Sequence, residues 1–161
     1  SKGDLVDPLK ALEMGQPGDV IVVDAGGDLN TSVCGGLMGG LAQNRGIRAM
    51  IVDGAGRDTD ELEDINWPIW TRAITPRGTH TMYSGRKEEL SINVPIACGG
   101  VVVNPGDFIV ADLMGVVVIP QELAEETVRL AQEQADREEE TRKWVAKGKT
   151  VEDLLNEFGR I

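Results

Sequence analysis

Two short, unbroken apolar runs constrain this chain most: VIVV at residues 20–23 and MIV at residues 50–52. Each is too short for a helix, and each is closed at once by glycine and aspartate, DAGGD after the first and DGAGRD after the second. Runs of this length, bounded by turn residues, read as buried strands. The segment between them, TSVCGGLMGGLAQN, reads as a helix capped at Thr31 or Ser32, running to Asn44 and closed by Gly46. The loop of the second unit is expected over 53–56.

Outside this pair the signals change character. Asp7-Pro8 reads as the start of a short helix that Gly15 stops, and QPGD at 16–19 reads as a turn. Short β-branched runs at 69–74, 94–97, 101–103, 108–111 and 116–119 are bounded by Gly, Pro or Asn, and are expected to be strands. Pro120 ends the strands. A long helix is expected over about 121–147, and Thr150 to Asp153 resembles a capping box opening a last helix through Phe158. The expectation is one mixed α/β domain over 1–161, a core over 1–120 and a helical tail over 121–161. The tail's Trp144 and Val145 require cover.

Composition removes several classes of function. The net charge of −11 disfavours nucleic acid, whose phosphates need a basic face. The apolar runs are too short to cross a bilayer, and no basic patch with an apolar run and a cleavage site marks a signal peptide. Cys34 and Cys98 lack metal or disulfide spacing. A reduced, cytoplasmic protein is expected. The acid-rich run 122–140 reads as a solvated helix face.

Two stretches can carry chemistry. The first is the glycine-rich helix start, with Gly35, Gly36, Gly39 and Gly40. A glycine inside a helix costs about 1 kcal/mol against alanine, so four need a reason. Close packing is one; binding of an anion by free helix amides is the other. The second stretch is Arg57-Asp58. An arginine forks a carboxylate or phosphate, and an aspartate is a hard oxygen ligand for Mg²⁺ or Mn²⁺. Loops at the carboxyl ends of strands are where α/β folds build sites. Cys34 has no histidine beside it, so a nucleophile role is not expected. His80, the only histidine, stands in a polar loop. Asp28, Asp53 and Asp112 read as turn acids, and Trp67 and Trp70 as core or interface.

The run GGLMGGLAQNRGIRAMIVDGAGRDTDEL resembles the class II, metal-dependent 4-hydroxy-4-methyl-2-oxoglutarate/4-carboxy-4-hydroxy-2-oxoadipate aldolases and their relative, the regulator of ribonuclease E activity. QPGDVIVVDAGGD, TPRGT, NVPIACGGVVVNPGDFIVAD and GVVVIP agree with it. The resemblance implies a mixed-sheet or barrel-like core sandwiched by helices. It implies that Arg57 binds a substrate carboxylate, that Asp58 ligates Mg²⁺ or Mn²⁺, and that the backbone of Gly35, Gly36, Leu37 and Met38 binds the pyruvate unit. The implied reaction is retro-aldol cleavage of a 4-hydroxy-2-oxo acid to pyruvate, with oxaloacetate decarboxylation beside it. The implied assembly is a homotrimer or hexamer in which a glutamate of a neighbour's C-terminal helix reaches the site.

The chain departs from the pattern twice. The family's leading acid, a twenty-residue spacer ahead of the Arg-Asp pair, falls on Gly36, while Glu61 matches the acid that follows it. Family members also carry a further N-terminal segment with a strand. Gly36 favours the alternative, a non-catalytic binding protein like the ribonuclease E regulator; Arg57, Asp58 and Glu61 favour the enzyme.

Overall fold

The computed structural model describes residues 3–78 and 90–159, which form two compact units, Ser1–Val118 and Ile119–Ile161. In the first unit a four-stranded parallel sheet is built around one strand, β3 (Ala49–Gly56), buried at every residue. Along one edge runs β4 (Ile69–Ile74), from Met50↔Ile69 to Gly56↔Ile74. Along the other edge two strands succeed each other. β1 (Val20–Asp24) pairs with Ala49 to Asp53, and the short β2 (Ser32–Cys34) pairs with Ala55 and Gly56.

This arrangement corrects two expectations. Residues 53–56 are not a loop: Ala55 and Gly56 remain in β3 because each has a partner on both sides, in β2 and in β4. Ser32 is not a helix cap. Pairing with the end of β3 buries Ser32 and Cys34 completely, and the helix α2 (Gly36–Asn44) begins only after Gly35. Two smaller differences concern helices. α1 (Gly3–Met14) starts ahead of the expected Asp7 cap, so Pro8 lies within it and removes a single backbone donor. A short helix, α3 (Thr59–Asp64), occupies the acidic stretch after β3.

The core is Leu12, Cys34, Ala42, Ile47, Met50, Val52, Leu62 and Trp67. Trp67 is buried as expected, with its indole N–H donating to the Ile47 carbonyl at 2.8 Å. Packing explains Gly39, where a Cβ would overlap Leu62 Cδ2 and stand 3.0 Å from the Trp67 ring. Gly40 has no neighbour within 4 Å of such a Cβ. Gly40→Ala is therefore expected to raise stability by about 0.5–1 kcal/mol. Gly39→Ala is expected to lower it by about 1–3 kcal/mol through overpacking. Urea unfolding midpoints of the two variants check both signs.

The remaining strands of this unit form hairpins, so the class is mixed α/β and the described strands close no barrel. β5 (Ile96–Cys98) and β6 (Val101–Val103) are antiparallel, turning through Gly99 and Gly100, both at positive φ. β7 (Phe108–Asp112) pairs with β8 (Gly115–Ile119). Asp112 caps the turn between them by accepting from Met114 N at 2.7 Å. The Trp70 indole donates to Asp112 O at 2.8 Å.

The second unit is helical. A 3₁₀ turn (Gln121–Leu123) leads into α4 (Ala124–Ala146), and α5 (Val151–Phe158) follows. The expected capping box is present, Thr150 and Asp153 each accepting from the other's backbone N–H. The acid-rich face of α4 is knit by pairs one turn apart, Arg129 with Glu126 and Glu133, and Lys143 with Glu139 and Glu140. Trp144 stands edge-on to Phe158, ring centroids 5.4 Å apart.

Candidate functional site

β3 ends at Gly56, and the next two residues carry the charge. Arg57 N still donates to Cys34 O at 2.9 Å, so the backbone is anchored where the side chain leaves the sheet. Asp58 then takes a left-handed conformation, φ 52° and ψ 43°, which L-residues rarely adopt and which clusters at functional sites. The chain turns sharply there into α3. Arg57, Asp58 and Glu61 thereby all point at one piece of backbone, the junction of β2 and α2.

The glycines at that junction make the room. A Cβ on Gly35 would overlap Asp58 Oδ2 and stand 2.8 Å from Arg57 Cγ and Nε. A Cβ on Gly36 would overlap Glu61 Oε2 and stand 2.9 Å from Glu61 Cβ and Cδ. The four glycines thus divide: Gly39 serves packing, while Gly35 and Gly36 admit three charged side chains. Sequence spacing alone missed the consequence at position 36. Glu61, which matches the acid that follows the Arg-Asp pair, stands against Gly36, the position where the pattern's leading acid is lacking.

Asp58 Oδ2 accepts from Gly36 N at 3.2 Å and lies 3.3 Å from Arg57 Nε. Of the four backbone positions expected to meet a ligand, Gly36 therefore already has its amide engaged. The amides of Leu37 and Met38, in the open first turn of α2, have no partner among the described residues, and Gly35 supplies no side-chain cap. Side chains of Arg57 and Asp58 are 31% and 38% exposed, so solvent and small ligands reach them.

The other acids have different work. Asp53 is not a turn acid: it is buried in β3, accepts from Gly99 N at 2.8 Å, and pairs with Arg72. The Gly99 hydrogen bond, then Arg72, holds its carboxyl below the usual range. It ties the β5–β6 hairpin to the sheet. Asp28 closes a loop by accepting from Asn30 N at 2.8 Å. Cys34 lies behind the site, fully buried; burial pushes its thiol up to about 11, against a smaller opposing pull from Arg57. A thiol so protonated is no nucleophile at neutral pH. His80 lies outside the described residues.

The donor set is compatible with a hard divalent cation. Asp58 Oδ1 accepts no hydrogen bond from the described residues, and the Glu61 carboxylate borders the same junction. Among the described residues no three His, Cys, Asp or Glu side chains group closely enough to hold a metal unaided. Mg²⁺ and similar ions commonly bind through one or two carboxylates, with water and substrate completing the shell. No described helix is long and apolar enough to cross a membrane.

Comparison with known proteins agrees with this architecture. Residues 1–118 match the family model described as RraA-like, Aldolase/RraA. A protein of Halalkalibacterium halodurans named "Putative 4-hydroxy-4-methyl-2-oxoglutarate aldolase" is 42% identical over 139 residues, covering 86% of this chain and 64% of its own. The 4-hydroxy-4-methyl-2-oxoglutarate aldolase of Thermus thermophilus is 36% identical over 112 residues, covering 70% of this chain and 65% of its own. The crystal structure of Streptomyces coelicolor RraAS2, titled an unusual member of the RNase ES inhibitor RraA family, superposes with a TM-score of 0.76 at 34% identity, covering 89% of this chain and 71% of that one. The chain spans a little under two thirds of the length of these curated relatives. It belongs to the RraA-like Aldolase/RraA family.

Proposed function

We propose that the crevice between Arg57, Asp58, Glu61 and the start of α2 binds a 4-hydroxy-2-oxo acid with a divalent cation and cleaves it to pyruvate. Decarboxylation of oxaloacetate at the same site is part of the proposal, as is assembly into a homotrimer or hexamer. The observation that carries the reading is the convergence of one guanidinium and two carboxylates on Gly35 and Gly36, beside open helix amides. The aldolase names of the relatives support it.

In this reading Arg57 forks the substrate's 1-carboxylate. The amides of Leu37 and Met38 receive the oxygens of the pyruvate unit and lie where negative charge grows as the bond breaks. Asp58, its Oδ2 engaged by Gly36 N, offers Oδ1 to Mg²⁺ or Mn²⁺. When bound, such a cation supplies Lewis-acid withdrawal of electrons from the 2-oxo group. Glu61 accepts the proton of the 4-hydroxyl at its carboxylate, directly or through one water. The C3–C4 bond then breaks, its electron pair passes toward the 2-oxo group, and a proton delivered to C3 completes pyruvate.

Glu61→Gln tests the role given to the acid. It keeps size and removes the base, so kcat is expected to fall about a hundredfold or more with KM little changed. The assay is pyruvate release from 4-hydroxy-4-methyl-2-oxoglutarate and from oxaloacetate, with Mg²⁺, Mn²⁺ or chelator. An unchanged kcat would remove Glu61 from the chemistry. The second reading, a binding protein of the regulator kind, is supported by the likeness to Streptomyces coelicolor RraAS2. No release from either substrate with any metal, by a folded protein, would favour it.

A further inference from the structure

Thr31 or Ser32 is the cap expected from the sequence, and the structure gives Ser32 other work. We infer that Ser32 is a positioning residue that fixes the plane of the Arg57 guanidinium; the inference rests on the reading that Arg57 binds a substrate carboxylate. The side chain of Ser32 is completely buried at the end of β2. Its hydroxyl donates to Cys34 O at 2.8 Å. A serine hydroxyl has one proton, so toward its other neighbour it is an acceptor only. That neighbour is Arg57 Nη1, which donates to Ser32 Oγ at 3.5 Å.

The backbone around Ser32 gives the hydroxyl little freedom. Ser32 N donates to Arg77 O at 2.8 Å, Ser32 bridges to Gly78, and it pairs with Ala55 of β3. Gly78 also backs the guanidinium, since a Cβ there would stand 3.4 Å from Nη1. Arg57 is thus held at two points of its planar fork, Nε beside Asp58 and Nη1 on Ser32. Its remaining N–H groups have no partner among the described residues, and they all lie in one fixed plane. A bidentate carboxylate contact depends on that plane. With the Nη1 anchor removed, Asp58 alone holds the guanidinium, and rotation of its plane about the Cδ–Nε bond competes with substrate binding.

The fold tolerates the test. Cys34 O also accepts from Arg57 N at 2.9 Å, so Ser32→Ala leaves no orphaned carbonyl. Ser32→Ala is expected to raise KM for metal-dependent pyruvate release about tenfold while kcat stays within about threefold. It should leave the melting temperature near that of the wild type. In the Arg57→Ala background, the same change should not further lower the residual kcat/KM for metal-dependent pyruvate release, because its effect runs through the guanidinium. An unchanged KM in Ser32→Ala would overturn the inference and leave the role of Arg57 standing. So would a joint fall in kcat and melting temperature, or a further loss in the Arg57→Ala background. Wild-type protein that neither releases nor binds pyruvate would overturn the reading of Arg57 and the inference with it.

Discussion

Arg57→Ala is expected to lower kcat/KM for metal-dependent pyruvate release by about two to three orders of magnitude, with the melting temperature nearly unchanged. The size follows from what the side chain faces. It is the only cation whose contacts place it at the β2–α2 junction among the described residues, between Gly35 and Gly78 and with Ser32 on Nη1. Truncating one partner of a close charge pair costs about 2–5 kcal/mol, and each 1.4 kcal/mol is a factor of ten. Stability is spared because the anchoring contact is made by the backbone, Arg57 N to Cys34 O, which alanine keeps. Steady-state rates with Mg²⁺ and a thermal melt check both halves. A variant with wild-type kcat/KM would remove Arg57 from the site.

Trp67→Ala is expected to have the largest effect on stability, about 3–5 kcal/mol. The indole is 3% exposed and packs on Gly39 of α2, and its N–H donates to Ile47 O, at the approach to β3. Removing it leaves a cavity between α2 and the start of β3 and strips a buried carbonyl of its donor. The same contact positions the site from behind, because α2 lies where Gly39 meets Trp67 and Leu62, and α2 begins at Gly36. Urea denaturation should show the loss as a lower midpoint with an unchanged slope. A cost below 1 kcal/mol would mean that α2 is held by something other than this contact.

What the sequence made legible follows from where local signals agree with tertiary ones. β1 was readable because an apolar run and its turn residues coincide with a half-buried strand paired along β3. The α5 cap was readable because Thr150 and Asp153 act within one turn. β2 and the end of β3 were not, because Ser32 and Ala55 take their state from each other across the sheet, not from propensity. The site divides in the same way. Arg57 and Asp58 were visible as adjacent charges at a strand end. The position of Glu61 over Gly36 depends on the left-handed turn at Asp58, which no spacing rule encodes. Asp53 looked like a turn acid because its partner, Arg72, stands on the neighbouring strand.

The central claim is that one crevice takes a 2-oxo acid and a divalent cation together, through Arg57 and Asp58. Calorimetric titration of pyruvate into the protein, with Mg²⁺ and then with chelator, tests it most directly. Binding at one site per chain that requires the cation, and that is lost in both Arg57→Ala and Asp58→Ala, is the predicted result. Binding of equal strength in chelator or in either variant, or no binding by the folded wild type, would contradict it.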